Sequence, residues 1–340
     1  MLFRSDLTLT GVGVLHAGKG QIFRLVQLSN GEIISADSDG LLRRWRDGKP
    51  VGDGQPIQTG QGEILSLLAL RNGEVISGGR DGTLRRWRDG RPVADGRPIQ
   101  TNQGPVLSLL ELRNGEVISG GADGGTLRRW RDGRPVGDGQ PIRTGHDEVL
   151  SLLELKNGEL ISGGADGALR RWRDGQPVGD GRPIATGQVD VLSLIQLRNG
   201  EMISGGSDGT LRRWRDGKPV GDGRAISTGQ GEVRVLLELR NGELISAGIN
   251  GTLLRWSDGK PIGSGRPIAT GQGSILTMLE LKNGELISGG GDGTLQRLSP
   301  LLIVRAACRE VDLNFIPRLP ELPPVLEAAR ATCRTVAHKR

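Results

Sequence analysis

Tyrosine is absent from this chain of 340 residues, and phenylalanine (3), histidine (3), methionine (3) and cysteine (2) are scarce. Each shortage removes a class of explanation. So few aromatic rings leave little material for stacking sugars or bases. Cys308 and Cys333 both lie near the C-terminal end and supply no disulfide framework, so they read as reduced structural thiols. His16, His146 and His338 are far apart and join into no catalytic triad. No run of eighteen apolar residues occurs, and MLFRSDLTLTGVGVLHAGKG at the start lacks a long apolar core. A soluble, cytoplasmic protein without a membrane partner is the expectation. A strong charge of one sign is missing too: Lys plus Arg number 45 against 39 Asp plus Glu. Residues 299–340 hold seven positive and four negative side chains, which is half of the net +6. The near-balanced remainder argues against a dedicated nucleic-acid binder.

What the chain does have is repetition. Trp45, Trp87, Trp130, Trp172, Trp214 and Trp256 follow one another at steps of 42, 43, 42, 42 and 42 residues, each in a near-copy of LRRWRDG. The odd step comes from the Gly124-Gly125 pair, where other copies have one glycine. One more period lands on Leu298 in GDGTLQRLSP, and one period back from Trp45 lands on Phe3. A period of about forty residues marks units that cannot bury their apolar faces alone and must stack on neighbours.

The second copy reads as four strands. Residues 64–70 are almost continuously aliphatic and closed by Asn72-Gly73, so they form a strand buried on both faces. Asn-Gly predicts a hairpin turn with positive φ at both central residues. A second strand follows at 75–78, a third at 83–88 after Asp81-Gly82, and a short fourth at 97–101 after Asp89-Gly90. Wedges of four antiparallel strands close into a ring that leaves only short outer edges exposed. The expected fold is therefore all-β, a seven-bladed β-propeller over residues 1–298. Residues 11–17 (GVGVLHA) align with the fourth-strand segment of the other copies and are expected to complete the last blade.

With Ser77, Asp81, Thr83 and Trp87 in place, SGGRDGTLRRW resembles the second-strand, turn and third-strand signature of the WD-repeat propeller family, and the resemblance covers about residues 11–298. It implies a hydrogen-bonded group of a Trp on the third strand, a Ser or Thr on the second, an Asp in the turn and a His before the first. A buried indole N–H needs such an acceptor. His146, Ser162, Asp166 and Trp172 make the one full set, because most other copies carry Gly-Gln in place of Gly-His. Trp-Asp is here spelled Trp-Arg-Asp, copy six has Asn250 for the Asp, and copy seven has Leu298 for the Trp.

Arginine triplets such as Arg85, Arg86 and Arg88 flank five of the tryptophans. Strand alternation puts Arg85 on the Trp87 side and the other two on the Leu84 side, with stems laid over the blade and Glu74 available as a partner for Arg88. The alternative is a ring of guanidinium groups that docks acidic partners or phosphates. The recurring Asp-Gly pairs lack the alternating oxygen ligands of a calcium loop, and no helix follows the glycines as a dinucleotide loop requires. No catalytic residues, cofactor or metal site are expected.

Residues 299–340 change in character. Ser299-Pro300 and Pro323-Pro324 open two helical patterns, giving a helical C-terminal tail that resembles, weakly, the tails after WD repeats in bacterial regulators. The resemblance implies a non-enzymatic protein-interaction scaffold, one module of a bacterial signalling or regulatory assembly. A small-ligand or glycan-binding propeller and a propeller enzyme are the alternatives. The copies differ most before the second turn and on entering the first strand, where Arg80, Asp147 and Ile249 stand, so a protein partner is expected on that face.

Overall fold

The computed structural model describes residues 13–263 and 265–298. The helical tail expected in 299–340, with both cysteines, lies outside the described residues. What is described is seven antiparallel sheets. In blade two the strands are Ile64–Ala69, Val75–Gly79 and Thr83–Arg88, hydrogen-bonded in that order. The fourth strand differs from expectation. It is broken into Arg91–Pro92 and Ile99–Gln100, which pair with opposite ends of Thr83–Arg88. Pro92 has no N–H to give a ladder, and the chain loops outward before it returns.

Turn chemistry explains the first of these pieces. Asp89 (φ 51°) and Gly90 (φ 80°) both adopt positive φ, the geometry that matches the twist of a two-residue hairpin. The Asn72-Gly73 turn is built otherwise: only Gly73 has positive φ, Gly73 N–H donates to Leu70 O (3.0 Å), and Asn72 Oδ1 accepts from Glu74 N–H (2.9 Å). Asn72 thus acts through its side chain and not through a left-handed backbone.

Blade seven is assembled from both ends of the ring. Val14–His16 pairs antiparallel with Thr294–Leu298, in the register Val14↔Gln296. This pairing supplies the outer strand that the last repeat lacks.

The apolar cores lie between blades. Trp87 shares one buried cluster with Ile34, Ala36 and Leu42 of blade one and with Ile64 and Val75 of its own blade. Trp45 does the same across the closure, against Ile287 and Leu295 of blade seven. Where blade seven lacks a Trp, Leu298 joins Ile245, Ala247 and Leu253 of blade six. A buried indole removes about 150–250 Å² from water, roughly 4–6 kcal/mol as an upper figure.

Polar ties run in the same direction. The hydroxyls of Ser66, Ser108, Ser151 and Ser193 donate to the backbone carbonyls of Val106, Val149, Val191 and Val233 on the innermost strand of the next blade (2.8–3.0 Å). At the first turn, Arg71 donates to Arg113 O (3.1 Å), Arg113 to Lys156 O (2.7 Å), and so round to Lys282, whose ammonium reaches Ser29 O (3.0 Å) and crosses the closure.

Removing residues 1–17 should leave Thr294–Leu298 as an unpaired edge and shift the protein from monomer to aggregate, with a lower melting temperature. Size-exclusion chromatography and thermal melting check this; a truncated chain that elutes and melts like the full one contradicts it.

Candidate functional site

Each blade centres on a buried hydrogen-bond relay. The indole N–H of the third-strand Trp donates to the second-strand Ser hydroxyl at 2.8–3.0 Å in blades one to six. A hydroxyl that accepts there still has a proton to place. In blades two, three, five and six it goes to a glutamine side-chain carbonyl, that of Gln61, Gln103, Gln188 or Gln230. The same amide then donates to backbone: Gln61 Nε2 reaches Thr83 O (2.9 Å) and Ser77 O (3.2 Å). Blade seven keeps the Ser288–Gln272 step without an indole. These glutamines are buried and satisfied, so Gly-Gln is not a worn form of Gly-His but a working replacement. Their constant spacing, sixteen residues before the Ser, was a signal in the sequence.

Blade four brings the four predicted residues together. His146 Nε2 lies 2.9 Å from Ser162 Oγ, Nδ1 lies 2.7 Å from Asp166 Oδ1, and Trp172 donates to Ser162 (2.9 Å). With the ring proton on Nδ1, that N–H donates to Asp166 and Nε2 accepts the Ser162 hydroxyl. Arg170 adds a second donor to Asp166 (2.6 Å) and one to Gly145 O (2.9 Å). In blades two, five and seven the turn Asp has a different duty: Asp81, for example, caps Thr83 through both its N–H (3.0 Å) and its hydroxyl (2.9 Å).

The two exceptions are coupled substitutions. Blade four has Ala168 where the glutamine blades have Thr83 or its equivalent, which frees Asp166 to face His146. Blade one has Lys19 at the glutamine position and Leu41 at the threonine position, and Lys19 is exposed. The vacated space is taken from the other side by Asp37, which is 1% exposed and receives Asp39 N–H (3.0 Å), Leu41 N–H (2.9 Å) and the Arg43 guanidinium. Asp37 occupies the position of Gly79, where an added Cβ would sit 2.5 Å from Gln61 Cβ. Aspartate therefore fits in blade one, where neither glutamine nor histidine stands; at Gly164 of blade four an added Cβ would meet His146.

Burial lowers the pKa of His146 below 6.5; the Asp166 hydrogen bond pulls the other way and the Arg170 charge reinforces the fall. Asp166 lies below 3.8, since the hydrogen bonds from Arg170 and His146 together outweigh the raising effect of burial.

The arginines are mostly committed. Glu74, 3% exposed, accepts from Arg86 Nε (2.8 Å) and Arg88 (2.8 Å), while Arg86 also donates to Asp132 O of the next blade (2.8 Å). Arg128, on the Trp130 side, donates to Gly139 O (2.7 Å). The same second-arginine pattern recurs as Arg171–Glu159 and Arg255–Glu243. A buried carboxylate between two guanidiniums leaves little charge free for an outside ligand. Among the described residues no group of three or more His, Cys, Asp or Glu is placed to hold a metal ion, and no helix is long and apolar enough to cross a membrane.

The variable positions converge at one end. The N–H at each second-turn position donates to a carbonyl at the entry to that blade's first strand, as in Arg80 to Glu63 O (2.9 Å), Ala165 to Glu148 O (3.2 Å) and Ile249 to Glu232 O (3.2 Å). Arg80 and Asp147 are exposed on this end, and Arg80 pairs with Glu63 (2.8 Å). Ile249 is 42% exposed, and Val189 is 66% exposed.

Trp172→Ala should cost about 3–5 kcal/mol as a large-to-small core change, and His146→Gln about 1 kcal/mol, because the amide meets Ser162 but finds no threonine hydroxyl. Adding Ala168→Thr to His146→Gln should recover part of that loss. A double-mutant cycle by urea unfolding tests the coupling, and strict additivity would refute it. Acid should reveal the same group. The unfolded chain binds a proton on His146 more readily than the fold does, so its stabilising effect is complete above about pH 6.5 and fades as the pH falls toward the folded pKa. His146→Gln should flatten that limb of the pH–stability curve; superimposable curves would rule the histidine out as its source.

A family model described as WD domain, G-beta repeat, matches residues 139–173, the stretch that holds His146, Ser162, Asp166 and Trp172. No curated protein matches the chain. Among solved structures, the WD40 β-propeller domain of Doa1 is similar at 22% identity with a TM-score of 0.71, covering 86% of this chain and 98% of that one. The computationally designed Ika8 protein is similar at 24% identity with a TM-score of 0.56, covering 86% and 99%. At such identities the likeness speaks for the fold alone. With seven antiparallel blades, the indole hydrogen bond in six of them and a family match on the repeat that keeps its histidine, the chain is a seven-bladed β-propeller whose residues 139–173 match the WD-repeat model.

Proposed function

We propose that this propeller is a non-enzymatic protein-interaction scaffold in a cytoplasmic regulatory assembly, and that its partner docks on the end carrying the second turns and first-strand entries. The observation that carries the reading is the contrast at that end between a fixed frame and free side chains. Every second turn is tied to a strand entry by a backbone hydrogen bond, while Arg80, Asp147, Val189 and Ile249 project from those loops. Large exposed apolar side chains are few among the described residues, and Val189 and Ile249 share this end.

Charge narrows the partner. Turn carboxylates recur at exposed positions on this rim, at Asp39, Asp81, Asp123, Asp208 and Asp292, with Asp147 beside them. A partner surface with lysine or arginine around an apolar centre complements it. A nucleic-acid backbone does not. The glycan-binding alternative draws on crevices of about 380, 240 and 230 Å³ between blades two and three, three and four, and four and five, which reach Trp130, Trp172 and Trp214. Those indoles are only 2–4% exposed, so they present no face for a sugar ring.

The triple variant Arg80→Ala, Asp147→Ala, Ile249→Ala should keep the wild-type melting temperature and lose at least about tenfold in recovery of the partner from native extract, about 1.4 kcal/mol of binding. Unchanged recovery, with binding lost instead on removing residues 299–340, would place the site on the tail.

A further inference from the structure

We propose that the axial channel is a binding site for a small oxyanion, a phosphate or carboxylate group held between Arg24 and Arg234. The channel has a volume of about 590 Å³ and is lined by the innermost strands of all seven blades. Its lining is a repeated pair: a leucine (Leu65, Leu107, Leu150, Leu192, Leu276) followed by a serine or threonine. Most of those hydroxyls are spent on neighbouring backbone: Ser66 donates to Val106 O (2.8 Å), and Thr277 accepts from Leu25 N–H (3.2 Å). An apolar, self-satisfied lining needs no cation.

Two blades break the pattern, and both do so with arginine. Arg24 of blade one stands at the serine position and Arg234 of blade six at the leucine position, flanking blade seven across the same cavity. Elsewhere the chain's enclosed arginines meet acids, as Arg86 with Glu74 and Arg171 with Glu159, or carbonyls across the blade, as Arg128 with Gly139 O. Arg24 is different. It is partly buried, donates to Phe23 O (2.8 Å), and among the described residues has no carboxylate within ion-pair distance. Arg234 shares Glu232 (Nε to Oε2, 2.8 Å), which leaves further N–H donors of its own. Burial, and then the charge of Arg234, push the pKa of Arg24 down to about 10, so it stays protonated at neutral pH while carrying an uncompensated charge. A planar guanidinium fork with free donors, facing a second cation in a confined space, is the arrangement that recognises an oxyanion. This site is separate from the docking end and its test requires no protein partner.

Arg24→Ser and Arg234→Leu give each position the residue most other blades carry, so both variants should fold and melt normally. Inorganic phosphate and succinate, titrated calorimetrically at low ionic strength, should bind the wild type; Arg24→Ser should weaken binding at least about tenfold and Arg234→Leu several-fold, while Arg80→Ala leaves it unchanged. The stronger of the two probes names the oxyanion. Equal binding by wild type and Arg24→Ser, or no binding by the wild type with either probe, would overturn the proposal.

Discussion

No blade of this protein has a core of its own. Each third-strand indole is buried among residues of the preceding blade, as Trp87 is among Ile34, Ala36 and Leu42, so every blade depends on one neighbour for its apolar contacts and supplies them to the other. That dependence demands a closed ring. It explains why Val14–His16 crosses to blade seven, why Trp45 packs on Leu295, and why Leu298 must still be buried where no indole exists. The ring in turn creates the two features that bear on function, an end of turns on a fixed frame and an axial channel.

Burying an indole so completely obliges the protein to find an acceptor for its N–H and partners for everything that acceptor touches. The fold completes the relay in two ways: glutamine with threonine serves most blades, and histidine with alanine serves blade four through Asp166, while blade one instead buries Asp37 at the end of its second strand, where it receives Leu41 N–H. These are alternatives at the level of groups of residues: Asp37 needs the glutamine to be gone, and His146 uses a carboxylate that a threonine would otherwise hold. The same economy governs the arginines, whose glutamates and carbonyl acceptors lie within the blade or on the next one.

The period, the turns and the three inner strands were readable because each rests on local rules: aliphatic runs, Asp-Gly hairpins and two-residue alternation. Thr83–Arg88 was read to the residue, and the Glu74–Arg88 pairing followed from strand direction. The broken fourth strand was less visible, since Arg91–Pro92 and Ile99–Gln100 are set by pairing along one partner strand and not by their own pattern. The glutamine relay was not read from the sequence, because its meaning lies in the threonine twenty-two residues later, a contact that only the folded hairpin makes. Arg24 escaped notice for a similar reason: a place on the axis belongs to the assembled ring.

Ring closure is the claim on which the others rest, and native-state hydrogen exchange tests it most directly. If blade seven is completed by Val14–His16, the amides of Thr294–Leu298 should be protected to a degree comparable with those of Ala168–Arg173 in blade four, and both segments should open together near the global unfolding free energy. Rapid exchange in Thr294–Leu298 while Ala168–Arg173 stays protected would mean an open ring and would contradict the account.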